Sequence, residues 1–285
     1  MAFNVTVINT KGGSGKTTLS ANLGGILADL KQRTLLVDAD TGQPALSSYF
    51  ALKEQAPSGL TQLFLSDPNN MDKAALISKT NIENLDLIYS DDPNAKLQSW
   101  VLEQPDGRMR LKSILKQFDC DYDYIIIDTR GSVGGVQDAA AIAGDIMISP
   151  IPPEMLSARE FIRGTVELLQ RLLPLEDYGF RIGNLHGVIN KMNRTIDARQ
   201  IVRELRSDSF ERTKGRVTVC DTVIPDSVLY REAATRKIPV HHVSRLHSDR
   251  TGDIILALVK ELLPNLSNME LTTNTSSYHG KREVV

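Results

Sequence analysis

Short apolar runs alternate along this chain with stretches of helical spacing. Phe3–Asn9 leads into Thr17–Leu30, where Leu19, Leu23, Ile26, Leu27 and Leu30 fall on one helical face. Further runs at Thr34–Asp38, Leu85–Ile88, Tyr124–Asp128, Ile146–Ser149, Leu185–Asn190 and Val217–Val223 have the length and continuous hydrophobicity of buried strands. Helical patterns cover Met109–Gln117, Val136–Ala143, Pro153–Leu172, Ile196–Arg206, Ser227–Thr235 and Thr251–Leu262. Strands alternating with helices predict an α/β fold: a mostly parallel twisted sheet with helices on both faces. Residues 53–82 are the least regular stretch, broken by Pro57-Ser-Gly59 and Asp67-Pro-Asn-Asn70. With 285 residues, 41% of them hydrophobic, the chain can bury one large core. We expect one domain over residues 1–263 and a disordered tail over 264–285, which is rich in Asn, Ser and Thr.

The turn between the first strand and the first helix reads Asn9-Thr-Lys-Gly-Gly-Ser-Gly-Lys-Thr-Thr18. Gly12, Gly13 and Gly15 can take backbone angles that turn successive N–H groups inward around an anion. Ser14 and Thr18 complete the loop. Lys16 would reach the β- and γ-phosphates of a nucleoside triphosphate, and the Thr17 hydroxyl would hold Mg²⁺. The helix N-terminus adds partial positive charge at the same point. Asp38 and Asp40 stand at the carboxyl end of the next strand, the edge that carries ligands in open α/β sheets. Two carboxylates beside a phosphate require a divalent cation between them. Tyr124–Asp128 ends four apolar residues in Asp128, the form of a Walker B strand whose carboxylate serves Mg²⁺. Gly131 would let a backbone N–H approach the γ-phosphate.

The form K-G-G-x-G-K-[ST] at residues 11–17 resembles the ParA/MinD group of P-loop ATPases, and the resemblance extends over residues 3–263. It implies a single-domain P-loop NTPase fold, ATP and Mg²⁺ as cofactors, and ATP hydrolysis. It also implies roles. Lys11 would cross a dimer interface to the partner's nucleotide. Val37-Asp-Ala-Asp-Thr-Gly-Gln-Pro44 looks like the family's V-D-x-D-P-Q motif, so that Asp40 would polarise the attacking water and Asp38 would support the Mg²⁺ shell. Asn190, at the end of Val188-Ile-Asn-Lys191, and the pair Pro225 and Asp226 resemble segments that contact adenine. Three positions depart from the family pattern: Thr10 stands where the general loop has glycine, Thr41-Gly42 where proline follows the second aspartate, and Arg130 where proline is common.

The net charge of −2 conceals an uneven distribution. Residues 191–250 hold 13 Lys and Arg against 8 Asp and Glu, whereas residues 1–190 hold 17 against 23. The excess includes Lys191, Arg194, Arg199, Arg203, Arg206, Arg231, Arg236, Lys237, Arg245 and Arg250. Charge alone fits either a DNA-backbone footprint or solvated helix faces paired with Glu204, Glu211 and Glu232. The resemblance favours DNA, because Ile224–Val240 is similar to the family's I-P-x-x-x-x-x-x-E-A block. On that basis Arg231 is the first candidate for DNA contact, followed by Arg236, Lys237 and Arg245. The resemblance implies an ATP-dependent partition ATPase: a homodimer on ATP binding, non-specific double-stranded DNA, a centromere-binding ParB-like adaptor, and a cytoplasmic, nucleoid-associated location. A relative that positions a protein cargo is the alternative. A Min-type membrane ATPase is disfavoured, because Ser276–Val285 lacks an apolar face. No signal peptide or operator-binding domain is expected ahead of Phe3. Cys120 and Cys220 have no metal or redox spacing. His241, His242 and His247 come with no thiol or carboxylate pattern in the sequence, so no metal site is expected there.

Overall fold

The computed structural model describes residues 1–271 except Pro93, Ala95, Arg194 and Ser248, and excludes the side chains of residues 208–212. Arg194, the Glu211 side chain and residues 272–285 of the expected tail therefore lie outside the described residues.

Nine strands form one sheet: β1 (Phe3–Val7), β2 (Thr34–Ala39), β3 (Leu52–Glu54), β4 (Ser78–Thr80), β5 (Leu85–Ile88), β6 (Tyr124–Thr129), β7 (Ile146–Ile151), β8 (Asn184–Met192) and β9 (Val217–Pro225), in the order β3-β4-β5-β2-β6-β1-β7-β8-β9. The seven expected strands are present and pair in parallel. The short β3 and β4 add antiparallel pairing at one edge, inside the stretch that appeared irregular. The helices are α1 (Lys16–Asp29), α2 (Leu60–Leu65), α3 (Lys96–Glu103), α4 (Gly107–Leu115), α5 (Gly135–Ala143), α6 (Met155–Glu160), α7 (Glu167–Leu172), α8 (Ile196–Arg212), α9 (Leu229–Arg236), α10 (Val240–His247) and α11 (Thr251–Leu262). A π-helical segment, Phe161–Val166, joins α6 to α7.

Alternation along the buried strands divides the core between the two faces of the sheet. Leu36 and Ile126 pack with α1, α9, α10 and α11. Their neighbours Leu35, Val37, Ile125 and Ile127 pack on the opposite face with α2 to α5. Beyond β1, Ile8, Met147, Leu185 and Ile189 meet α6 to α8. Each face is thus dry, which is why the strands read as unbroken apolar runs. Central β6 lies between β1 and β2, so the carboxyl ends of all three open on one cleft. No described helix is long and apolar enough to cross a membrane.

The packed region extends past residue 263. Pro264–Leu266 forms a 3₁₀ turn, Leu266 is buried, and Asn265 Nδ2 donates to Tyr124 Oη at 2.7 Å. Polar composition suggested disorder from residue 264, but the apolar Leu266 and Met269 anchor this stretch on the core.

Candidate functional site

The phosphate loop turns through left-handed backbone at Gly13 (φ 74°) and Gly15 (φ 96°). These angles favour glycine because it has no Cβ to clash. Lys16, the first residue of α1, is only 7% exposed, and its Nζ lies 3.4 Å from the Lys11 carbonyl. Burial lowers the Lys16 pKa, while Asp128 and Asp40 act in the opposite direction. Lys11 takes a different path: its Nζ donates to Ser157 Oγ at 3.0 Å, on the rim formed by α6. The two lysines of one loop therefore serve two places, one inside the cleft and one beside it. Thr10 also has a local role, since its hydroxyl donates to Glu160 Oε1 at 2.9 Å and ties the loop to α6.

Parallel register sets Asp38 directly beside Asp128 across β2 and β6. Both are buried. Asp128 accepts from Thr17 Oγ1 at 2.7 Å and from Ser20 Oγ at 2.9 Å. Asp38 accepts from the Ser47 amide and hydroxyl, each at 2.7 Å, and from the Asp40 amide at 3.1 Å. Desolvation raises Asp38 to about 6, and desolvation with the neighbouring Asp38 charge raises Asp128 to about 7. Two such carboxylates, with a threonine hydroxyl between them and the loop, suit a divalent cation.

Asp40 Oδ1 accepts from the Gly42 and Gln43 amides, both at 2.9 Å, which shapes the loop whose path the sequence left open. Two of the departures from the family pattern meet here. The Arg130 guanidinium lies over Gly42, so close that a Cβ there would be 2.8 Å from Arg130 Cζ. Gly131 in turn rests on the loop backbone: a Cβ would come within 2.8 Å of Gly12 N and Cα. Together Gly12, Gly13, Gly15, Lys16, Thr17, Thr18, Asp40, Arg130, Gly131 and Lys191 border a cleft of about 470 Å³, with Gln43, Ala45 and Thr129. A larger cleft of about 730 Å³ lies elsewhere, but its cations are already neutralised by Lys73–Asp121, Lys79–Asp86 and Arg33–Asp123 pairs.

The other expected site residues are placed less directly. Asn190 Nδ2 donates to the Ser14 carbonyl at 2.8 Å, and a Cβ at Gly15 would collide with it. Lys191 Nζ donates to the Gly13 carbonyl at 2.8 Å. The end of β8 thus clamps the phosphate loop. Pro225 and Asp226 close β9 beside Met192 and do not border the phosphate cleft. Arg231, Lys237 and Arg245 are exposed and, among the described residues, make no ion pair. Arg236 pairs with Glu232 at 2.8 Å, and Arg206 is committed to the Cys220 and Asp221 carbonyls. Sequence reasoning passed over Ser20 and Ser47. Ser20 lies one helical turn after Thr17, a usable signal; Ser47 reaches Asp38 only through the fold.

A lysine ammonium held almost dry on a left-handed glycine turn, at the start of the first helix of a mostly parallel sheet of this order, defines a P-loop nucleoside triphosphatase. Residues 3–175 match the family model described as AAA domain. The chain is 31% identical over 268 residues to the sporulation initiation inhibitor protein Soj of Bacillus subtilis (strain 168), covering 92% of this chain and 98% of Soj. It is 26% identical to the chromosome partitioning protein ParA of Myxococcus xanthus (strain DK1622), covering 83% of this chain and 80% of that protein. Among solved structures, apo McdA of Cyanothece superposes with a TM-score of 0.77 at 21% identity, covering 92% of this chain and all of that one. The chain belongs to the ParA/MinD-type P-loop ATPases, enzymes that hydrolyse ATP.

Proposed function

We propose that this ATPase is a partition switch: ATP closes two copies into a sandwich that binds DNA without sequence preference, and hydrolysis releases it. The observation that carries this reading is the divergence of the two loop lysines. Lys16 is buried in its own cleft, whereas the Lys11 ammonium stands at the rim and, among the described residues, is held by the Ser157 hydroxyl alone. One hydrogen bond from an ammonium to a neutral hydroxyl contributes about 1.5–3 kcal/mol net. A triphosphate in a facing copy would outcompete it, because there both the donor and the acceptor are charged.

Within each copy, the amides of Gly12 to Thr18 and Lys16 bind the phosphates. Thr17 and Asp128, with Asp38 behind, would hold Mg²⁺, which supplies charge neutralisation between carboxylates and phosphate. Asp40, fixed through Oδ1 by two amides, keeps Oδ2 for orienting the attacking water. The Gly131 amide meets the γ-phosphate, and the Arg130 guanidinium, which borders the cleft, offsets developing negative charge. Asn190, with Pro225 and Asp226, would line the adenine end.

Loss of the γ-phosphate removes the contacts that hold Lys11 across the interface, so the copies separate. Arg231, Lys237 and Arg245 supply the DNA surface, with Arg236 contributing less because Glu232 neutralises it. A ParB-like adaptor would stimulate slow turnover, and a nucleoid-associated, cytoplasmic location follows from this reading. DNA co-sedimentation with ATP, ADP or no nucleotide tests it. Pelleting should require ATP and weaken steeply with salt. Equal pelleting in all three states, or none in ATP, would sink the switch.

A further inference from the structure

At the far end of the P-loop helix, three side chains converge on one point. Asp29, the last residue of α1, receives His241 Nε2 at 2.8 Å and His242 Nε2 at 2.6 Å, both on the same oxygen, Oδ2. The imidazole centroids are 4.4 Å apart, and one donor atom from each of the three residues lies within 4.8 Å of the others. The sequence did not reveal this carboxylate as their partner, because Asp29 is 212 positions from His241. We propose that Asp29, His241 and His242 form a binding site for a borderline transition-metal dication of the Zn²⁺ class, separate from the nucleotide site.

Three features favour a metal over a purely structural network. Successive residues on a helix diverge by about 100°, so neighbouring side chains do not ordinarily meet. Here they meet at a single atom. Both imidazoles bond the one oxygen Oδ2, and among the described residues Oδ1 accepts no hydrogen bond. Second, His241 is built in. It is 1% exposed, and its position depends on two glycines: a Cβ at Gly252 would approach its Cβ to 2.6 Å, and a Cβ at Gly25 would meet Pro239 at the same distance and the ring edge at 3.7 Å. The Val240 amide donates to Asn22 Oδ1 at 2.6 Å, fixing the start of α10 against α1. Third, Asp29 and His242 retain exposed surface, with side chains 25% and 13% accessible, so an ion and a fourth, water ligand can enter from solvent.

The donor set determines the ion. Two imidazole nitrogens and one carboxylate oxygen match Zn²⁺, Co²⁺ or Ni²⁺; Mg²⁺ and Ca²⁺ prefer oxygen. In tetrahedral coordination, ligand bonds of about 2.0–2.1 Å set donor atoms about 3.3–3.4 Å apart, so each imidazole nitrogen would draw back from Oδ2 by roughly 0.5–0.8 Å. The ion would join the end of the P-loop helix to the helix that follows the basic α9.

The test uses the full chain carrying Cys120→Ser, which removes an exposed thiol as a rival ligand, stripped with chelator and titrated with Zn²⁺ or Co²⁺ alone in excess Mg²⁺·ADP. One equivalent of Zn²⁺ should bind and raise Tm, and Co²⁺ should give the visible bands of a four-coordinate site without thiolate charge transfer. Asp29→Asn keeps an acceptor for the histidines, so the fold persists; it and His242→Ala should each lower affinity at least about tenfold. Absence of binding, or binding unchanged in both variants, overturns the proposal. Nucleotide affinity, read in the same samples, is independent of the outcome.

Discussion

Gly131→Ala should separate catalysis from nucleotide binding. Gly131 does not occupy left-handed backbone, so alanine adds no dihedral strain there. The cost is contact: the new methyl would lie 2.8 Å from Gly12 N and Cα and 2.9 Å from the Lys11 carbonyl carbon. All three are backbone atoms of the phosphate loop, so no rotamer change relieves the crowding. The loop after β6 and the phosphate loop must part by several tenths of an ångström. Overpacking of this kind costs about 1–3 kcal/mol, which lowers Tm by roughly 2–4 °C per kcal/mol. In the proposed switch, the same displacement would withdraw the residue 131 amide from the γ-phosphate. Misplacement on this scale reduces turnover by about 10- to 100-fold. ADP affinity should change less than turnover, because the methyl presses on the loop at Lys11 and Gly12 and makes no close contact with Lys16 or Thr17. Calorimetric melts, ADP titration and phosphate release measure the three quantities. Wild-type turnover with a lowered Tm would refute the catalytic placement of this loop. Wild-type values of both would refute the packing argument itself.

Other substitutions address the remaining parts. Lys16→Ala should abolish ATP binding or productive closure, since no other buried cation borders the cleft among the described residues; undiminished ATP turnover would contradict the assignment. Asp40→Ala should trap an ATP-bound dimer on DNA, and sedimentation showing only monomers with ATP would count against its water-orienting role. Arg231→Glu should weaken DNA binding while ATP-dependent dimerisation survives, and co-sedimentation equal to wild type would remove Arg231 from the interface. Gly15→Ala forces a non-glycine residue into φ 96° and pushes Asn190 off the Ser14 carbonyl. Its expected cost is about 2–3 kcal/mol, and an unchanged denaturation midpoint would show that this clamp carries no load.

Much of this molecule is local in origin. Each central strand is a continuous apolar run because the sheet is dry on both faces, so composition alone marks it. The phosphate loop is equally legible: its glycines, Lys16 and Thr17 are contiguous, and left-handed turns restrict which residues can occupy them. Asp38 and Asp128 could each be located because they end such strands. What could not be read is what depends on registry or on distant partners. That Asp38 abuts Asp128 follows from the pairing of β2 with β6. Three-residue β3 and β4 escaped detection because runs that short have no periodicity; β4 is held by pairing with β5, and β3 by pairing with β4. The polar stretch after Pro264 appeared disordered because two apolar anchors are a weak compositional signal. Asp29 meets His241 and His242 only because α10 folds back onto α1. Sequence thus determined the elements and the phosphate-binding chemistry, since backbone preference and hydrophobic period act over a few residues. Only the tertiary structure decided which charges face each other, because Coulomb forces and hydrogen bonds depend on distance in space and not on separation along the chain.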